Sequence, residues 1–240
     1  MSLLKIPFII ASAIGVHVSL TTSSRQPSSE EKVIPTASES FGKWIFRLGC
    51  LELMVISIWA VSAAEVANII AMHIGPSQIS EGIYGASAIQ LMRTLRPTPI
   101  THAFLASSLA IAMGGAFRLY CMSTLGKLWS FQLSIRKEHR LVTDGPYSIV
   151  RHPSYTAFFL QYVGIIVMYG GPGSWMRQSG ILQVPFMKVP AAIIFVAYTV
   201  CAWIVIVRLA VEDKMMQRAM GEDWENWAKQ VKYRLLPGVY

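Results

Sequence analysis

Apolar residues in this chain are gathered into long blocks separated by short polar segments. Four blocks stand out, running roughly over 46–74, 100–125, 155–169 and 189–207. Three of them reach the ~20 residues that a helix needs to cross the hydrocarbon of a bilayer. The block from Tyr155 is shorter, and Gly170-Gly171-Pro172-Gly173 ends it abruptly, which predicts a tight helical hairpin with the block that follows. A fifth apolar segment, Ile6 to Leu20, follows Lys5 and precedes a Ser/Thr-rich stretch from Thr21 to Ser29. A short core behind one basic residue fits a cleaved signal peptide or a first transmembrane helix, and the helix is the reading adopted. The pattern predicts an all-α integral membrane protein of about five transmembrane helices. Residues 1–43 hold the first span and a polar linker, disordered over 21–43. Residues 44–128 hold helices two and three, and 129–240 hold the hairpin of helices four and five with a polar C-terminal segment.

Composition supports a membrane protein. Hydrophobic residues make up 53% of the 240 and charged residues 14%, with a mean hydropathy of +0.46, outside the range of soluble domains. Fourteen of the 21 Lys and Arg fall in 21–43, 123–154 and 208–240, against five on the other side of the spans. Those three segments are therefore expected to face the cytosol. The net charge of +8 suits anionic lipid headgroups and requires no nucleic acid. Cys50, Cys121 and Cys201 are far apart in the sequence and form no CxxC or zinc spacing, so neither a disulfide nor a metal site is expected. Glu52 and Glu65, inside the second span, are costly in lipid and are expected to face protein or a cavity. Thirteen residues apart, they point to different helix faces and are not expected to act as a pair.

The two polar segments left over, Ser123–Ser154 and Arg208–Tyr240, are each too short to bury a core. They are expected to pack on one another at the membrane face and to enclose a polar pocket there. In the first, Gly145-Pro146 stops any helix arriving from the N-terminal side, and Pro153 suits the first turn of the next. Tyr147, Arg151 and His152 lie between those marks, with Tyr155 one turn on. A basic, aromatic interfacial anchor accounts for such a loop as readily as a binding site does. In the second segment Arg208 and Glu212 are spaced i, i+4 and share a helix face. They form either a surface ion pair or, directly after an apolar helix, a guanidinium fork offered to a carboxylate from the lipid phase. Trp224 and Trp227 are read as headgroup-level aromatics rather than stacking platforms.

Read together, four elements resemble the isoprenylcysteine carboxyl methyltransferase family of integral membrane enzymes. They are Leu141-Val142-Thr143-x-Gly145-x-Tyr147, Arg151-His152-Pro153-Ser154-Tyr155, Arg208-x-x-x-Glu212 with a second acid at Asp213, and Gly221-Glu222-x-Trp224-x-x-Trp227. The resemblance covers 129–240, and the N-terminal half carries no motif. It implies methyl transfer from S-adenosyl-L-methionine to the C-terminal carboxylate of a prenylated cysteine, as in CaaX protein processing. The implied setting is the endoplasmic reticulum membrane with the active site facing the cytosol. The cofactor site implied by the resemblance falls on Gln132, the run His139-Arg140-Leu141-Val142, Tyr147, His152-Pro153-Ser154-Tyr155 and Glu212. Arg208 falls on the position that holds the substrate carboxylate, so Arg208 and Glu212 are the implied catalytic pair. Asp213 stands where the family usually has Glu, and Trp replaces Tyr in the tail; both changes bear on the substrate pocket.

The chemistry agrees with these residue types. A C-terminal carboxylate has a reference pKa near ~3.5, so it is ionised at neutral pH and needs no general base. One rival reading is a membrane sterol reductase using NADPH, which shares an Arg-His-x-x-Tyr element and a tail like Tyr233–Tyr240. Pro153, Ser154, the small number of spans and the Arg208/Glu212 pair weigh against it. A phospholipid N-methyltransferase would share cofactor and architecture. A non-catalytic membrane scaffold would leave the spacing of Gln132, His139, Tyr147 and His152 unexplained.

Overall fold

The apolar blocks fold as helices in a computed structural model that describes residues 3–21, 28, 37–74, 83–135 and 140–239. In chain order these are α1 (Lys5–Thr21), α2 (Ala37–Arg47), α3 (Cys50–His73), α4 (Ile83–Thr94), α5 (His102–Leu125), α6 (Pro153–Ile165), α7 (Trp175–Gln178), α8 (Lys188–Met220) and α9 (Glu222–Gln230). Three of them, α3, α5 and α8, are long and apolar enough to cross a membrane, and α1 is a shorter apolar helix. Large apolar side chains stay on the outside, among them Ile56 and Trp59 on α3, Met113 on α5, and Ile193, Val196 and Trp203 on α8. An exposed apolar surface of this extent is what a helix bundle presents to lipid. Helix α8 extends about 50 Å at 1.5 Å per residue. That exceeds the ~30 Å hydrocarbon, so its last turns, from Arg208 onward, continue past the apolar block.

Helix α1 lies against α3 and α5, and α6 packs most extensively on α5. Lipid tails are as apolar as leucine, so helices in a membrane associate through small residues and hydrogen bonds rather than by expelling water. Gly15 on α1 and Gly115 on α5 meet backbone to backbone: a Cβ on Gly115 would lie 2.5 Å from the Gly15 carbonyl oxygen. Gln161 of α6 donates to the carbonyls of Gly15 (2.9 Å) and Ile111 (3.2 Å), joining three helices, and the hydroxyls of Ser12 and Ser108 lie 2.9 Å apart. Glu65 faces protein as expected, in a buried ion pair with Lys5 at 2.6 Å; Lys5 also donates to Thr98 Oγ1 at 2.8 Å. Lys5 is thus an interior charge rather than a flanking one.

Several expectations need correction. Glu52 is exposed on the first turn of α3 instead of facing protein; a helix N-terminus favours an acidic side chain there. The segment 21–43 is not all linker. Its end joins α2, whose Phe41 meets Trp203 of α8 edge-on at 6.4 Å, while 22–27 and 29–36 lie outside the described residues. The glycines do end the fourth apolar block, after a π-helical turn at Ile166–Gly170. The hairpin is looser than a tight one, because the return through 171–187 holds α7 and a 3-10 turn at Ile181–Gln183. Cys50 and Cys201, distant in sequence, bring their sulfurs to 3.8 Å across α3 and α8, and all three cysteines are free thiols.

Gly115→Val should drive a side chain into the Gly15 backbone and cost roughly 1–3 kcal/mol, the usual penalty of overpacking. Thermal unfolding in detergent should show a clear fall in melting temperature for that variant. Gly170→Ala, at a site with nothing within 4 Å of the added carbon, should leave it unchanged; equal effects would remove the α1–α5 contact from the account.

Candidate active site

The loop from α5 to α6 leaves through a 3-10 turn at Gly126–Leu128 and returns through another at Gly145–Ser148. Gly145 takes φ +57°, a left-handed conformation that costs glycine little, and the turn it opens buries Pro146 and Tyr147. Pro153 then occupies the first turn of α6. At the other end of the chain, α9 leads into a strap that lies along this loop. The Arg151 and His152 backbone N–H groups donate to the carbonyls of Tyr233 (3.0 Å) and Arg234 (2.9 Å), and Thr156 Oγ1 donates to Leu235 O at 2.7 Å. The Arg151 guanidinium adds bonds to the carbonyls of Ala228, Val231 and Lys232.

Asp213 holds these parts together. Buried on α8, it receives His152 Nε2 at 2.8 Å on one oxygen, and on the other Arg234 Nε at 2.8 Å and Arg151 Nη1 at 3.5 Å. The His152 ring stacks on Tyr155 with centroids 5.5 Å apart. Tyr155 donates its hydroxyl to Glu212 Oε2 at 2.6 Å, and the same oxygen lies 3.8 Å from Arg208 Nε. Arg208 is fixed from behind by donating Nη1 to Phe131 O at 2.7 Å. A chain of contacts, two ion pairs and a hydrogen bond joined by one ring stack, therefore runs from Asp213 through His152, Tyr155 and Glu212 to Arg208.

That chain borders a cavity of about 180 Å³. Gln132, Arg140, Leu141, Val142, Tyr147, His152, Ser154, Tyr155, Arg208 and Glu212 all line it. Of the other expected residues, Pro153 is buried and shapes the turn without lining the cavity, and His139 lies outside the described residues. Leu20, Leu51, Phe158, Cys201, Ile204 and Val205 form an apolar part of the same wall. Burial, above all, pushes the Tyr147 phenol above its ordinary range, so it stays a hydroxyl and a donor. The Ser154 hydroxyl and the Trp227 indole N–H are buried and find no hydrogen-bond partner among the described residues, and both residues line the cavity. The expectation for Trp224 and Trp227 is overturned. They are 8% and 9% exposed, and Arg151 stacks on Trp224 at 5.4 Å, so they wall a cavity instead of anchoring in headgroups.

Four participants stand outside the cofactor and substrate residues that the resemblance implies: Arg118, Arg151, Asp213 and Arg234, of which Arg151 and Asp213 belong to its motifs. Arg118 carried a usable signal, being a charge within an apolar block, which is costly unless it serves a purpose. Arg151 and Asp213 carried a signal as members of the motifs, though without an assigned contact; Arg234 carried none, since an arginine in a polar tail looks like an ordinary solvated group until the chain folds back.

Residues 106–218 match the model of the isoprenylcysteine carboxyl methyltransferase family. Protein-S-isoprenylcysteine O-methyltransferase B of Arabidopsis thaliana is 41% identical over 64 residues, covering 26% of this chain and 32% of that protein. The protein-S-isoprenylcysteine O-methyltransferase of Schizosaccharomyces pombe is 27% identical over 123 residues, covering 50% and 44%. A nickel-cobalt-cadmium resistance protein, NccN of Alcaligenes xylosoxydans xylosoxydans, is 48% identical over 48 residues, covering 20% and 22%. The chain spans less than half the length of each of these three relatives. The resemblance is borne out for the first three motif elements; the matched region starts earlier than they do, taking in most of α5, and ends at 218, before the Gly221–Trp227 element.

Asp213→Asn should leave three cationic or donor groups facing a neutral amide. Removing one partner of a buried ionic cluster costs on the order of 3–5 kcal/mol. The variant should therefore melt at a markedly lower temperature and expose the 231–235 strap to limited proteolysis, and wild-type protection of the strap would contradict its role as the latch.

Proposed function

We propose that this protein is a membrane carboxyl methyltransferase that esterifies the C-terminal carboxylate of a prenylated cysteine, with S-adenosyl-L-methionine as methyl donor. The single observation that carries the reading is the position of Arg208. It stands on α8 one turn on from Ile204 and Val205, lines the same cavity as they and Tyr155 do, and lies in reach of Glu212. An apolar tail held by Leu20, Leu51, Ile204 and Val205 would bring its carboxylate to that guanidinium. The family match over 106–218 and the relatives named above support the reaction class. The heavy-metal resistance relative shares only a 48-residue stretch, too little to carry an activity.

The residues present fit the donor. The Ser154 hydroxyl and Trp227 indole N–H, without partners among the described residues, offer hydrogen bonds to a polar ligand. Glu212, held by the Tyr155 hydroxyl, offers negative charge to a sulfonium cation. Bound there, the donor supplies an electrophilic methyl group. The protein's own work is placement: aligning nucleophilic oxygen, methyl carbon and sulfur can contribute about 7–11 kcal/mol. Arg208 orients the carboxylate, and Glu212 beside it moderates the grip, since tighter ground-state binding would slow the step. No side chain needs to remove a proton, because the carboxylate is ionised before it binds. In this reading five helices (α1, α3, α5, α6 and α8) cross the membrane, and the lysine- and arginine-rich segments set the site on the cytosolic face of the endoplasmic reticulum.

Detergent-solubilised protein supplied with methyl-labelled S-adenosyl-L-methionine and N-acetyl-S-farnesylcysteine should form a base-labile methyl ester, with labelled NADPH giving no reduced product as the control. Absence of ester from folded, donor-binding protein would refute the reaction. Arg208→Ala should lower turnover by about 100-fold or more, the scale of a lost charge-assisted bond in the transition state, while calorimetry finds donor affinity within a few-fold. Because no base is invoked, the rate should be flat from about pH 6.5 to 8.5. A steep profile traced to an enzyme group would contradict the mechanism.

A further inference from the structure

Of the two fully buried Lys and Arg side chains among the described residues, Lys5 and Arg118, Arg118 is the one without a carboxylate partner. Lys5 has Glu65, Arg208 has Glu212, and Arg151 and Arg234 share Asp213. Arg118 is 6% exposed and has no carboxylate among the described residues. Its Nε donates to Ser19 O on α1 at 3.1 Å and its Nη1 to Ser154 O on α6 at 3.2 Å. The rings of Trp129 and Phe158 lie 5.6 and 5.8 Å from its Cζ. Those contacts fix the guanidinium without neutralising it, and Nη2 makes no hydrogen bond to the described residues. Arg118 lines the same cavity as Arg208. Burying a cation with no anion is expensive, and guanidinium is the side chain best shaped to receive a carboxylate through two parallel bonds.

We propose that Arg118 is a ligand-binding residue, a second guanidinium that receives a carboxylate entering the cavity, with its remaining N–H groups as the donors. Resting on the function proposed above, two ligands bring that chemistry: the amino-acid end of the methyl donor and the C-terminus of the prenylcysteine. Arg118 and Arg208 then make two cationic places for two carboxylates. Because backbone carbonyls from two helices grip Arg118, it cannot swing with its ligand and fixes where that carboxylate lies.

The test is equilibrium binding by calorimetry to the full chain in detergent, using pairs of ligands that differ in the carboxylate. The pairs are S-adenosylhomocysteine against 5′-methylthioadenosine, N-acetyl-S-farnesylcysteine against its carboxamide, and oleate against oleyl alcohol. Arg118→Gln keeps an N–H donor for the Ser19 and Ser154 carbonyls while removing the charge. It should weaken the carboxylate member of one of the first two pairs by about 10-fold or more, the worth of a hydrogen bond to a charged group. The neutral member should keep its affinity within about twofold, and the affected pair identifies the source. Equal losses for both members, or no loss in any pair, would overturn the proposal and leave Arg118 a packing residue. Should Arg118→Gln fail to fold, Arg118→Lys carries the test, with a few-fold loss confined to the carboxylate member expected. If neither of the first two pairs binds wild type but oleate does, and Arg118→Gln loses it selectively, the methyltransferase reading falls while the carboxylate site stands.

Discussion

Asp213 is buried on α8 and surrounded by His152, Arg151 and Arg234, which belong to a loop and a tail far apart in the chain. A carboxylate in that environment is tolerated only while it is paired, so the fold can bury it only by drawing the loop and the tail onto α8 together. The backbone bonds between 151–152 and 233–234 follow from that closure. So does the cavity, since the loop and the α8–α9 segment both contribute to its lining. One ionic cluster thus converts two segments too short to fold alone into a shaped enclosure.

The enclosure is chemically mixed. Arg118, Arg208, Glu212 and the Tyr147 and Tyr155 hydroxyls line it together with leucine, isoleucine, valine and phenylalanine side chains from α1, α3, α6 and α8. A ligand with a charged end and a greasy end satisfies both kinds of lining. The chain of contacts from Asp213 to Arg208 also makes the grip on such a ligand depend on the latch, because His152, Tyr155 and Glu212 each position the next. Arg118 adds a second guanidinium to the same lining, held by backbone carbonyls of α1 and α6 with no anion among the described residues.

The apolar blocks made the helices legible, because a run of ~20 apolar residues has few other uses. The motif-bearing loop and the Arg208/Glu212 spacing pointed to one cavity, which most of the residues they named line; Pro153 stands behind it and His139 lies outside the described residues. The gaps have physical causes. Glu65 was read as facing protein, yet its partner could not be named, since nothing local ties it to Lys5 sixty residues earlier. Asp213 and Arg234 act through contacts made only after the tail folds back. Trp224 and Trp227 were misread because an aromatic at a membrane interface and one walling a pocket have the same sequence signature. Helix α2 escaped notice because it is short and its apolar positions are few.

The central claim is that one cavity, closed by the Asp213 latch, brings a water-soluble methyl donor and a lipid-anchored carboxylate together. The most direct measurement is a structure determined with S-adenosylhomocysteine and N-acetyl-S-farnesylcysteine both present. The account predicts density for both ligands in this cavity, with the farnesyl chain along Leu51, Ile204 and Val205 and the cysteine carboxylate at Arg208. Either ligand bound elsewhere, or a farnesyl chain pointing toward the strap, would contradict it.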